Sequence, residues 1–79
     1  MRVYLKIYDR PKYYEEAELI NVINYDIKDF RIIHEADNKD IRANFTDEEL
    51  DINDEYLELQ LTDGDTATFR NSYVDLFKW

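Results

Sequence analysis

His34 is the only histidine and Ser72 the only serine in the chain. Hydrolysis through an activated nucleophile needs a hydroxyl or thiol, a base beside it and a group that orients the base. Ser72 lies in an Asn-Ser connector with no Gly-x-Ser-x-Gly elbow, and His34 reads as a strand residue near a turn. Carboxylates are plentiful, yet two-carboxylate hydrolysis also requires a cleft that desolvates one of them. A domain of 79 residues rarely holds such a cleft beside its core. Asp63-Gly64-Asp65 with Asn53, Asp54 and Glu55 offers oxygen ligands of the kind calcium takes. The spacing does not match the twelve-residue calcium loop, so no metal, cofactor or catalytic residue is assigned and no enzyme is expected.

The informative chemistry is electrostatic. Between Ala43 and Phe69 stand nine acids and no base: Asp47, Glu48, Glu49, Asp51, Asp54, Glu55, Glu58, Asp63 and Asp65. The rest of the chain carries ten acids and ten bases, so the whole net charge of −9 belongs to that interval. Such a field repels nucleic acid and attracts basic surfaces, including those that bind nucleic acid. Same-face side chains on a strand repeat every ~6.6–6.8 Å, about two base steps along one strand of a duplex. A row of carboxylates at that spacing can face lysines and arginines laid out for phosphates. Arg2, Tyr4, Lys6 and Tyr8 interleave cations with aromatics in the manner of single-strand binders. The net charge argues instead for an internal role, with this basic strand lying near the acidic segment.

These residues need a scaffold, and period-two alternation points to strands. Val3, Leu5 and Ile7 form the apolar face of an N-terminal strand, and Ile20–Ile27 reads as a second. Ile41, Ala43 and Phe45, then Leu57, Leu59 and Leu61, then Ala67 and Phe69, repeat the pattern. At the end of the chain Val74 and Leu76 oppose Asp75, Phe77 and Trp79. At Thr62-Asp63-Gly64-Asp65, a two-residue turn would put Ala67 and Phe69 on the face opposite the leucines. A three-residue loop with Gly64 left-handed pairs Leu59 with Ala67 and Leu57 with Phe69, which unites the apolar set and is therefore expected. An earlier hairpin turns near Ala36–Lys39. Asp9–Glu18 and the capping-box sequence Thr46-Asp-Glu-Glu49 are read as minor helical pieces, the first equally compatible with a loop.

Phe45–Ile52 aligns with Phe69–Leu76 at a spacing of 24 residues, and Tyr25–Asp29 aligns with Leu50–Asp54 at 25. The chain thus divides into an N-terminal strand and connector (1–19), a first hairpin unit (20–49) and a second (50–79), all in one domain. The expected fold is mainly β: a small antiparallel meander curling toward a barrel, with at most one or two short helical turns. Cysteine is absent and no apolar run suits a signal peptide or membrane span, which favours a cytoplasmic setting without membrane contact.

The segments Asp26-Ile-Lys-Asp-Phe30, Leu59-Gln-Leu-Thr-Asp-Gly-Asp-Thr-Ala-Thr-Phe69 and Tyr73-Val-Asp-Leu-Phe77 resemble small β proteins of bacterial mobile elements and phages. In size and acidity the chain is also similar to anti-CRISPR and anti-restriction inhibitors. That resemblance implies a non-enzymatic inhibitor that occupies the basic nucleic-acid-binding groove of a partner protein, such as a CRISPR effector or restriction enzyme. It implies no direct binding of nucleic acid. The acids from Asp47 to Asp65 would make the contact, with Tyr56 and Tyr73 as aromatic anchors. The alternative is an assembly module that self-associates through strand edges and tyrosine faces.

Overall fold

The computed structural model describes residues 1–34 and 54–79. Strands β1 (Arg2–Tyr8), β2 (Leu19–Ile33), β3 (Tyr56–Leu61), β4 (Thr66–Arg70) and β5 (Val74–Lys78) form one antiparallel sheet in the order β4-β3-β2-β1-β5. A 3-10 turn at Asn71–Tyr73 joins β4 to β5, the two outer strands of that order, and no ladder links them, so the sheet curls without closing.

The 15-residue strand β2 holds the sheet together. Its first part pairs with β1, Arg2 opposite Asp26 and Lys6 opposite Val22, and its second part pairs with β3, Arg31 opposite Glu58 and Ile33 opposite Tyr56. The register shifts between Ile27 and Asp29, leaving Lys28 as an extra residue. An inserted residue reverses the in-out alternation and sharpens the bend. Ile23, Tyr25 and Ile27 therefore share the core face before the bulge, whereas after it Phe30 and Ile32 stand opposite Leu59 and Leu57 yet stay exposed at 36% each, and the buried residue of this stretch is Ile33, opposite Tyr56. The expected strand Ile20–Ile27 is thus the first half of a longer one.

Val3, Leu5, Ile27, Leu57, Leu59 and Val74 make the buried core. Phe69 of β4 meets Tyr25 of β2 edge-on, ring centroids 6.1 Å apart, which ties the outer strand back across the curl. The hairpin loop forms as burial requires: Leu59 faces Ala67, Leu57 faces Phe69, and Gly64 takes φ 96°. Asp9–Glu18 forms two successive turns, closed by Tyr14 N–H to Pro11 C=O and Ala17 N–H to Tyr14 C=O, and contains no helix. The Asp9 carboxylate accepts the Glu18 N–H at 3.0 Å, and that bond lowers the Asp9 pKa. The hairpin near Ala36–Lys39, the strand Ile41–Phe45, the Thr46–Glu49 connector and, of the repeat, Phe45–Ile52 and all of Leu50–Asp54 but Asp54 lie outside the described residues.

Candidate functional site

Strand β3 and its two ends display the described part of the acidic interval, and they treat its acids differently. Asp54, just before β3, is drawn inward. Its Oδ2 accepts from Arg70 Nε at 2.8 Å and from Ser72 Oγ at 2.7 Å, and its side chain is 8% exposed. Burial works against the Arg70 charge, but the Asp54 carboxylate outweighs it and raises the guanidinium pKa. Arg70 also lies 4.8 Å above the Tyr73 ring. Glu58, in mid-strand, is 3% exposed and takes a two-pronged contact from Arg31, Nε to Oε1 at 2.9 Å and Nη2 to Oε2 at 3.4 Å. These two acids hold the fold together.

Glu55, Asp63 and Asp65 face solvent. Glu55 approaches His34 Nδ1 at 3.4 Å, a contact with most of the imidazole in water. Asp63 and Asp65 sit at the hairpin tip, where Asp63 Oδ1 accepts the Asp65 N–H. The tip and Asp54 are at opposite ends of a strand of six residues, about 20 Å of extended chain, so their oxygens do not converge on one ion. Among the described residues no group of three or more acids and histidines could hold a metal. Asp47, Glu48, Glu49 and Asp51 lie outside the described residues.

The two aromatic candidates separate. Tyr56 is 0% exposed and has no surface to offer a partner, because β3 is buried on both faces from Tyr56 to Leu59. Tyr73 is half-buried beneath Arg70. For the described acids of the interval, the expectation that the N-terminal basic strand lies beside them does not hold: Glu58 pairs with Arg31, Asp54 pairs with Arg70 and Glu55 approaches His34, none of them on that strand. Lys12 serves Asp75 instead, donating from Nζ to its Oδ1 at 2.9 Å and to the Val74 carbonyl at 2.8 Å. Tyr8 donates to Asp75 Oδ2 at 3.0 Å. The Lys12 bond leads in lowering the Asp75 pKa, while the bond to Asp75 raises that of the Tyr8 phenol.

A feature the sequence only half disclosed lies on the outer face of β1 and β5. Tyr4 stacks on its cross-strand neighbour Phe77, centroids 5.0 Å apart and planes 13° from parallel. Trp79 meets Tyr4 edge-on at 5.6 Å, and Lys6 Nζ caps the far side of Phe77 at 5.1 Å. The alternation placed Phe77 and Trp79 together with Asp75, and it placed Tyr4 with Lys6. The register that joins the two sets involves residues about 75 positions apart, which a single sequence does not reveal.

No protein-family model, curated protein or solved structure matches the chain. Among the described residues no helix is long and apolar enough to cross a membrane.

Proposed function

We propose that this is a non-enzymatic acidic binding protein that occupies a basic, nucleic-acid-binding surface of a partner protein, such as a CRISPR effector or restriction enzyme. The observation that carries the reading is the confinement of the whole −9 charge to the base-free interval between Ala43 and Phe69. The inward turn of Asp54 and Glu58 refines it. The contact falls to Asp47, Glu48, Glu49, Asp51, Glu55, Asp63 and Asp65, with Glu55 presented just before β3 and Asp63 and Asp65 at the tip of the β3–β4 hairpin.

The test reverses Glu48, Glu49, Glu55 and Asp63 to lysine together and leaves Asp54 and Glu58 in place. A partner captured from host lysate at low salt should lose its own nucleic-acid ligand when the parent protein is added. The reversed variant, folded by circular dichroism, should not compete. Undiminished competition by that variant would end the proposal.

A second reading, self-association, is favoured by the exposed apolar run Leu19, Ile20 and Val22 at the start of β2. Sedimentation separates the two: a tight oligomer indifferent to salt supports assembly, and a monomer supports the acidic inhibitor.

A further inference from the structure

The row Trp79–Tyr4–Phe77–Lys6 leaves one ring plane open. Phe77 has Tyr4 on one side and Lys6 on the other, whereas Trp79 touches only Tyr4 among the described rings and is 74% exposed. Its indole N–H has no hydrogen-bond partner among the described residues. Beside it runs a shallow groove of about 200 Å³ lined by Arg2, Asn24, Tyr25, Asp26 and Trp79. Arg2 and Asp26 are directly opposite across β1 and β2, yet they form no ion pair. The Asp26 carboxylate is 61% exposed, and its sole partner among the described residues is the chain's terminal amine, at a long 3.5 Å. The Asn24 amide makes no hydrogen bond among the described residues. The groove therefore combines an uncovered aromatic plane with two oxygen acceptors.

We infer that this groove docks an arginine side chain of the partner, with the guanidinium flat on the Trp79 indole and forked onto the Asp26 carboxylate beside Asn24. Arginine suits both elements at once, since its planar head stacks on aromatic faces and its fork matches a carboxylate. Tryptophan and arginine are also the residues that most often anchor protein interfaces. Charge complementarity selects this occupant over a nucleotide. The chain carries −9, and the Thr62 N–H donates to the Asp26 carbonyl at 3.2 Å, which brings the Asp63–Asp65 hairpin tip alongside the groove. A phosphate would find Arg2 as the single cationic side chain of the lining, with the terminal amine already placed at the Asp26 carboxylate. The inference rests on the reading of a cation-rich partner and adds the chemistry of its anchoring contact.

Trp79 is the only tryptophan, so its fluorescence reports the groove directly. Titrations at about 0.15 M salt with a hexaarginine peptide, a hexalysine peptide and a single-stranded DNA octamer decide the matter. Hexaarginine should saturate the signal and bind about two- to fivefold more tightly than hexalysine. Asp26→Asn should weaken hexaarginine binding, and Arg2→Gln should strengthen it by removing the opposing cation. Equal affinity for the two peptides, preference for the DNA octamer, or weaker binding by Arg2→Gln would each overturn the inference. If the arginine preference is absent while the four-site reversal still abolishes competition, the groove is refuted and the acidic-inhibitor reading stands. If the preference holds while the reversal leaves competition intact, the outcome is the opposite one.

Discussion

Replacing Asp54 by alanine should remove a large part of the stability margin, although this residue looks from the sequence like one more surface acid. Its Oδ2 accepts two short bonds, from Arg70 and Ser72, and so ties the start of β3 to the β4–β5 connector. Hydrogen bonds to a charged group contribute about 1.5–3 kcal/mol. Removing one member of a fully buried pair costs about 3–5 kcal/mol. The Arg70 side chain keeps a quarter of its surface in water, so Asp54→Ala should cost about 2–4 kcal/mol, between those limits. A chain of this length has about 4–12 kcal/mol to lose. With a urea slope of about 1–1.5 kcal/mol per molar, the unfolding midpoint should fall by about 2 M. Asp54→Asn should cost about half as much, because it keeps the geometry and loses the charge. Ser72→Ala should cost about 1 kcal/mol alone and almost nothing in the Asp54→Ala background, a coupling that a double-mutant cycle measures. The reasoning fails if Asp54→Ala and the solvent-facing Asp65→Ala shift the midpoint alike, or if the Ser72 and Asp54 effects add in full.

Leu59 is fully buried beside Ile27 and Leu57, so Leu59→Ala should lower stability by about 2–5 kcal/mol in urea unfolding, more than any single surface acid. Gly64→Ala meets no atom within 4 Å, so its cost should be backbone strain alone, about 1–2 kcal/mol, with the β3–β4 register unchanged by NMR. The folded-state pKa of Asp75 is lowered, first by the Lys12 bond, so its contribution is present above the unfolded value of about 4 and is lost as pH falls through the folded one. The acid limb of a midpoint-against-pH curve should therefore be shallower in Asp75→Asn than in the parent, and an unchanged limb would rule the linkage out.

Much of the β framework was legible because strand alternation is a local signal and apolar parity fixes pairing. Leu57, Leu59, Ala67 and Phe69 choose the three-residue loop by themselves, since the shorter turn would split them between faces. Val3 and Leu5 declare the inner face of β1 in the same way. Three features escaped. Lys28 gives no hint that it is the extra residue of a bulge, because Asp26 to Asp29 reads as polar alternation in either register. The fate of Asp54 and Glu58 depends on arginines 16 and 27 residues away, so a count of charges could not separate structural acids from displayed ones. Tyr56 reads from the sequence as an aromatic anchor, but β3 is buried on both faces from Tyr56 to Leu59 and encloses it. The candidate site was therefore visible as a charge and invisible as a surface.

The pairing of β1 with β5 has a mechanical consequence. Val3 faces Lys78 and Ile7 faces Val74, so residues 1 and 79 leave the same end of one antiparallel ladder. Tension applied between them loads the rungs one after another, beginning at the Trp79 N–H to Arg2 carbonyl bond, and does not shear them together. The domain should thus peel open at low force when pulled from these two positions in an optical trap. It should resist far more when β3 is dragged lengthwise against β2. A machine that pulls from either position would reach Val3, Leu5 and Val74 first, and with them the centre of the core.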